Sequence, residues 1–171
     1  MLSQEKYQTY CEILRQELIT ATGCTEPISI AYAAAIARKE LGQLPQNMQV
    51  KLSRNIIKNV KSVIVPGTGG AKGIEAAVAA GVIAGCPEKK LEVLSELTEA
   101  DKLSIDLFLR KCPIEISAAD SEFTFDIQIQ AITVPDTVTV RIVGSHTNVV
   151  RIQKNGEVIL NEPEVPREER N

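Results

Sequence analysis

Hydrophobic residues recur every three or four positions in the first part of the chain and at every second position in the last part. The spacing of Tyr7, Cys11, Leu14 and Leu18 predicts an amphipathic helix over residues 3–20. Further helices are predicted at 26–42, 71–83, 87–94 and 98–111. Each of these segments shows the same spacing, an alanine-rich composition or a capping-box start. The chain therefore begins as a mainly helical region.

From Pro113 onward the period changes to two, which is typical of strands with one buried face. Alternating segments predict strands near 114–116, 123–131, 138–142 and 149–152. Asn155-Gly156 is a strong hairpin turn. These patterns predict an α+β fold, in which an N-terminal helical layer is followed by an antiparallel sheet of four or five strands with one solvated face. Short β-rich runs within 48–65 are candidates to join that sheet.

The change of period also suggests a division of the chain. We expect a mainly helical region at 1–112, including the short strands of 48–65, and an antiparallel β region at 113–160. Residues 161–171 are rich in Pro, Glu and Arg, which favours a linker or a frayed tail.

Composition and charge narrow the classes of molecule that this chain is expected to bind. The formal net charge of −3, with acidic and basic residues interspersed, argues against a nucleic-acid partner. The sequence has no run of about 18 apolar residues and no signal-peptide layout, so we expect a cytoplasmic protein without a membrane partner. With one histidine and four cysteines in no Cys-x-x-Cys pair, no zinc site of familiar spacing is expected.

Cys24 stands in the turn 22–27 (TGCTEP), just before an apolar helix. Thr25 suits the N-cap and Pro27 the first helical turn. Free N–H groups and the helix dipole at such a position favour a thiolate, which is a nucleophile or a metal ligand. The alternative is a small buried cysteine in a turn between helices.

A glycine-rich loop at 66–73 (PGTGGAKG) precedes the helix predicted at 71–83. Such a loop lets backbone N–H groups approach an anion, and Lys72 adds a positive charge. The loop matches neither the P-loop nor the dinucleotide-binding pattern, so a substrate carboxylate suits it better than a nucleotide. The candidate binding residues are Gly67, Thr68, Gly69, Gly70 and Lys72. The alternative is a tight turn with close helix packing.

His146 is the single histidine and falls in a predicted connection between strands (GSHTN, 144–148). An imidazole suits proton transfer near neutral pH, so His146 is the candidate catalytic residue. The alternative is a turn residue bonded within its own loop. Cys11, Cys86 and Cys112 are assigned no role.

Taken together, the segments of these candidates resemble one protein family, the L-cysteine desulfidases, which are related to the alpha chain of iron–sulfur L-serine dehydratases. The resemblance runs from about residue 5 to about residue 160 and rests on 21–32 (ATGCTEPISIAY), 55–60 (NIIKNV), 65–77 (VPGTGGAKGIEAA) and 145–149 (SHTNV).

The resemblance implies an oxygen-sensitive [4Fe–4S] cluster and no pyridoxal phosphate. It implies elimination of the β-substituent of L-cysteine or L-serine, giving pyruvate and ammonia, with sulfide from cysteine. By motif match Cys24 corresponds to a cluster ligand. A base would remove the α-proton while iron polarises the leaving group.

Members of that family are considerably longer, and their other cluster cysteines lie in a C-terminal half that has no counterpart here. We therefore expect the chain to be an N-terminal portion that binds no cluster and is inactive alone. The alanine-rich helices at 28–37 and 74–84 would be partly exposed or paired between copies, so we expect a homo-oligomer. The alternative is a non-catalytic module that binds an amino acid or mediates assembly.

Overall fold

The structure, a computed structural model, describes residues 3–9, 11 and 25–164, and residues 4–9 and 11 are helical. The helices that follow are α1 (Thr25–Leu41), α2 (Arg54–Val60), α3 (Ile74–Ala84), a 3-10 segment (Pro87–Glu92) and α4 (Glu99–Lys111). The strands are β1 (Asn47–Leu52), β2 (Ile114–Ala118), β3 (Asp126–Ile132), β4 (Thr137–Val143), β5 (Val149–Lys154) and β6 (Glu157–Asn161).

All of these strands belong to one six-stranded mixed sheet in the order β2-β1-β3-β4-β5-β6. The β1–β2 pair is parallel and the other neighbours are antiparallel. The predicted α+β class, with helices first and a sheet after them, is confirmed. The sheet has one strand more than the upper prediction because β1, from the helical part of the chain, lies between β2 and β3.

Helix α1 lies between the sheet and α3, with β3 and β4 on one side and α3 on another. This position explains why residues 30–37 are all buried, since a helix that is apolar all round needs cover on all sides. Helix α3 is covered in turn by α1 and α4. Residues 30–37 and 76–82 are buried within the single chain, so the expected partial exposure of these alanine-rich helices is wrong there. The homo-oligomer expected from that exposure stays a prediction.

Small residues set the distance between α1 and α3. A Cβ placed on Gly81 would lie 2.2 Å from the backbone oxygen of Ala31, and one on Gly85 would lie 2.6 Å from the Cβ of Ala35. The two glycines are four residues apart and so share a helix face, as do the two alanines. The helices therefore meet backbone to backbone at Gly81, and just beyond the end of α3 the Gly85 backbone lies against the Ala35 side chain.

Of the β-rich runs predicted within 48–65, the one at 60–65 does not form a strand of the sheet. Val60 ends α2, and Ile64 forms an isolated antiparallel bridge with Lys72. The apolar residues Ile56 and Val60 are four positions apart and both are buried, which is helical spacing in a segment too short to be recognised as a helix.

The sheet face opposite α1 is polar and carries a buried ion pair. Asp126 is fully buried and accepts from both Nε and a terminal nitrogen of Arg141, at 3.2 and 2.8 Å. Arg141 also donates to Glu164 at 2.6 Å. These contacts join β3, β4 and the residues after β6.

In the described part of the chain, no helix is long and apolar enough to cross a membrane.

Candidate functional site

His146 lies in the turn between β4 and β5, and the turn is held by its own residues. The Asn148 side chain donates to the Val143 carbonyl at 2.8 Å, and the Asn148 backbone N–H donates to the Ser145 carbonyl at 3.2 Å. Gly144, with φ of 82°, provides the left-handed residue at which the chain leaves β4. The imidazole is thus carried on a short, internally bonded turn.

Helix α1 contacts His146 at two points. Thr25 Oγ1 lies 2.8 Å from His146 Nε2, and the Ser29 hydroxyl donates to the His146 carbonyl at 2.6 Å. Thr25 and Ser29 are four residues apart and therefore lie on the same side of the helix. One helix face thus fixes both the ring and the backbone of the histidine.

A carboxylate and an aromatic ring complete the surroundings of His146. The Asn59 amide donates to Glu26 Oε1 at 3.2 Å, and the negative charge of Glu26 acts on His146. The rings of Phe125 and His146 are tilted by 59° with centroids 4.9 Å apart. The site therefore joins α1, the C-terminal end of α2, the residue before β3 and the β4–β5 turn.

Burial lowers the pKa of His146 below its ordinary value of 6.5, and the neighbouring Glu26 carboxylate opposes this by a smaller amount. The imidazole is therefore neutral at pH 7 and able to accept a proton. The Thr25 hydroxyl donates to Nε2 or accepts from it, depending on the tautomer. Among the described residues, no hydrogen bond engages Nδ1.

Ser145 adds a polar group beside the histidine. Its hydroxyl oxygen is buried and has no hydrogen-bond partner within the described part of the chain. An unpaired buried hydroxyl costs free energy unless a water or ligand satisfies it. Ser145 is therefore a second candidate for contact with a bound molecule.

The glycine-rich loop closes on itself. The Thr68 hydroxyl donates to the Val65 carbonyl at 2.7 Å and accepts from the Ala71 N–H at 3.2 Å, so it holds the loop in shape. Gly67, Gly69 and Gly70 are exposed and have positive φ. Lys72 is also exposed. Among the described residues no hydrogen bond joins this loop to His146, and its role in carboxylate binding stays a prediction.

The predicted cluster ligand, Cys24, lies outside the described residues and immediately precedes Thr25 in the sequence. Cys11 and Cys86 are half-buried free thiols, and Cys112 is a buried one whose pKa is raised by burial. Over the described ranges 3–9, 11 and 25–164, no three His, Cys, Asp or Glu side chains come together as a metal-binding group. These residues do not supply the ligand set of a cluster.

The partners of His146 were not predicted from the sequence. Thr25 was interpreted as a helix cap, and Ser29, Glu26 and Phe125 were given no role. The sequence held one indication of this site, because Thr25, Asn59 and His146 belong to different segments of the family resemblance. The structure joins these segments through direct contacts at His146 and Glu26.

The chain is similar to several proteins described as UPF0597 proteins. It is 53% identical over 154 residues to one from Desulfitobacterium hafniense, covering 90% of this chain and 36% of that protein. It is 43% identical over 162 residues to one from Treponema denticola, covering 95% and 38%. It is 48% identical over 153 residues to one from Finegoldia magna, covering 89% and 37%.

The chain thus spans little more than a third of the length of these relatives. The name that these relatives share states no reaction. No protein-family model matches the chain.

Proposed function

We propose that this chain forms part of a β-eliminating lyase that acts on a small amino acid, L-cysteine or L-serine, in the cytoplasm. The observation that supports the proposal best is the cluster of Thr25, Glu26 and Asn59 around a half-buried His146. These residues belong to separate segments that resemble the desulfidases, and their convergence is what a shared site requires.

His146 is the proposed proton acceptor. Its lowered pKa keeps the ring neutral at pH 7. In the tautomer whose Nε2–H donates to the Thr25 hydroxyl, Nδ1 is unprotonated and takes the proton. Ser29 holds the backbone of the same residue. Glu26 stabilises the imidazolium that forms when the proton is taken.

The reaction balances as an elimination followed by hydrolysis. His146 takes the α-proton, the electron pair of the Cα–H bond forms the Cα–Cβ double bond, and the Cβ–S or Cβ–O bond breaks with its electrons on the leaving atom. The proton then passes to the leaving group. The aminoacrylate becomes an imine, which water hydrolyses to pyruvate and ammonia.

Gly67, Gly69, Gly70 and Lys72 stay the proposed carboxylate-binding groups, with Thr68 as their scaffold.

A [4Fe–4S] cluster with Cys24 as a ligand belongs to the proposal through the family resemblance alone. The described residues do not provide the remaining ligands, and no step above depends on the cluster. The proposal therefore includes a second segment, of the kind that makes the relatives longer, to complete the site.

The test compares this chain with a chimera in which it replaces the matching 154-residue region of the Desulfitobacterium hafniense relative. Both are reconstituted anaerobically with iron and sulfide, followed by an optical spectrum and assays for pyruvate and sulfide. We expect cluster and turnover from the chimera and neither from the 171-residue chain. In the chimera, His146→Gln should retain the cluster spectrum and lose turnover.

Each other outcome has a clear meaning. A chimera that holds the cluster and releases no pyruvate from either substrate would overturn the lyase. Binding of the amino acid at His146 and the glycine-rich loop without turnover would support a non-catalytic amino-acid-binding or assembly module. Full turnover in the His146→Gln chimera would remove His146 from the reaction.

A further inference from the structure

A cavity that is open to solvent borders the turn that carries His146. It has a volume of about 320 Å³ and is bounded by α1, the 3-10 segment, the β4–β5 turn and the end of β6. The side chains that matter for its chemistry are those of Tyr32, Lys90, Thr147, Asn148 and Glu162. The volume equals that of about ten waters in the liquid, which suits a small polar molecule.

Lys90 is held in an unfavourable backbone conformation. Its φ of 51° and ψ of −112° break the 3-10 segment in two, and a residue with a Cβ adopts such angles only at a cost. A glycine would avoid that cost, yet this position carries a long cationic side chain. Strained residues of this kind concentrate at ligand sites, where the surrounding structure holds them in place.

The charged residues immediately before Lys90 form ion pairs with other residues. Glu88 forms an ion pair with Lys39, and Lys89 forms one with Glu96. Within the described part of the chain, neither Lys90 nor Glu162 has an ion-pair partner, and they do not pair with each other. The cavity thus presents a positive and a negative group that are separated from one another.

Neutral hydrogen-bonding groups also line this cavity. Tyr32 is 7% exposed, and no hydrogen bond between described residues engages its hydroxyl. The Asn148 amide nitrogen is used by Val143, which leaves its oxygen as an acceptor. The Thr147 hydroxyl has no partner among the described side chains. Tyr32 and Thr147 therefore add hydroxyl groups to the lining of the cavity.

From this arrangement we propose that the cavity binds a small zwitterionic amino acid, with its carboxylate on Lys90 and its ammonium group on Glu162. A carboxylate alone would leave Glu162 unpaired, and an amine alone would leave Lys90 unpaired. A ligand here contacts Thr147 and Asn148 and thereby stabilises the turn that holds His146. The inference concerns binding and does not require the lyase proposal to be correct.

The experiment is a titration of the 15N-labelled 171-residue chain with L-serine, followed by NMR. A ligand of so few atoms is expected to bind with a dissociation constant of about 1 mM. The largest amide shifts should fall at Lys90, Thr147, Asn148 and Glu162. Acetate and ethanolamine each lack one of the charged groups and should bind about tenfold more weakly than L-serine.

Variants separate binding from folding. Lys90→Gln and Glu162→Gln should each weaken L-serine binding about tenfold, whereas Lys61→Gln removes the same charge from another exposed lysine and should leave it unchanged. Lys90→Gly should lose binding equally while raising the melting temperature by about 2–4 °C, because it relieves the backbone strain. If Lys90 had only a structural role, its replacement by glycine would not both weaken L-serine binding and raise the melting temperature.

The proposal is overturned if L-serine binds wild type, Lys90→Gln and Glu162→Gln with the same affinity. It is also overturned if tens of millimolar L-serine cause no shifts around the cavity, including the case in which the shifts map only to the glycine-rich loop at 66–73. None of these results bears on turnover by the chimera. The failure of this inference and the failure of the lyase are therefore distinguishable.

Discussion

At the scale of single residues, His146 is defined by groups that are distant in sequence. Thr25 and Ser29 are separated from it by 121 and 117 positions. The first contacts the ring and the second contacts the backbone, so the histidine is held independently of its own turn. The properties of this residue therefore depend on α1 and on the charge of Glu26.

The first prediction concerns the titration of the imidazole. Since the chain has one histidine, its C2–H proton gives a single resonance whose shift against pH reports the pKa of His146 directly. Burial should place that pKa below 6.5, and Glu26→Gln should lower it further because a charge that stabilises the imidazolium is lost. A control, Glu157→Gln on an exposed position of β6, should leave the pKa unchanged. A pKa at or above 6.5 in the wild type would contradict the buried geometry.

The second prediction follows from the same shift. The unfolded chain takes up the His146 proton at about pH 6.5, whereas the folded chain takes it up only at lower pH. The stabilisation is thus fully present above pH 6.5 and is lost as pH falls through the pKa of the folded state. The free energy of unfolding should fall by up to about 1.4 kcal/mol per pH unit in this window.

Urea denaturation of wild type and His146→Gln isolates this contribution. Every other titrating group is common to the two proteins, so the difference between their free energies of unfolding should shrink as pH falls from about 7.5 to about 5.5. A difference that stays constant across this range would exclude a depressed pKa at His146.

His146 could be selected from the sequence because a lone histidine in a predicted turn has a distinctive chemistry. Its partners could not, because a threonine before an apolar helix is explained equally well as a cap. Ser29 looked like one more small residue of an alanine-rich helix. Hydrogen bonds between residues more than 100 positions apart leave no trace in local periodicity.

At the scale of elements, the sequence predicts correctly those helix starts and turns that a strong local signal marks. Thr98 and Asp101 form the predicted capping box at the start of α4, and Asn155-Gly156 forms the turn of the β5–β6 hairpin. Helix α2 was not predicted because seven residues give too few repeats of the helical period. The parallel pairing of β1 with β2 depends on the whole topology and carries no local signal.

The third prediction addresses the contact between α1 and α3. Gly81→Ala should lower the free energy of unfolding by about 2–3 kcal/mol and the melting temperature by about 5–10 °C, although alanine is the better helix former. The new Cβ would lie 2.2 Å from the Ala31 oxygen, and the helices would have to separate. Differential scanning calorimetry measures the change.

Two variants make this result specific. Gly156→Ala meets no atom within 4 Å and should cost about 1 kcal/mol, from its positive φ alone. Adding Ala31→Gly to Gly81→Ala should give no rescue, because the close atoms belong to the backbone of residue 31 and not to its side chain. Recovery of stability in that double variant would contradict the backbone-to-backbone packing.

At the scale of the whole molecule, the order of elements along the chain does not match their order in space. The sequence pattern divides at residue 113, yet β1 from the first part pairs with β2 and β3 from the second. Helix α1 from the first part also covers β3 and β4. The pattern of periods reports which elements form, whereas their neighbours are decided by the burial of apolar faces.

The last prediction tests whether the two regions expected from the sequence fold separately. Residues 1–112 alone would leave β1 without either neighbouring strand and α1 without the sheet that covers one of its sides. Residues 113–171 alone would expose the buried face of β3 and β4. Neither fragment should show a cooperative thermal transition, whereas the whole chain should unfold in one, with calorimetric and van't Hoff enthalpies in agreement. A chain ending at residue 164 is the control and should retain the transition, since it keeps every contact described above. A separate transition in the fragment 1–112 would establish the division at residue 113 and would show that the helical layer is stable without the sheet.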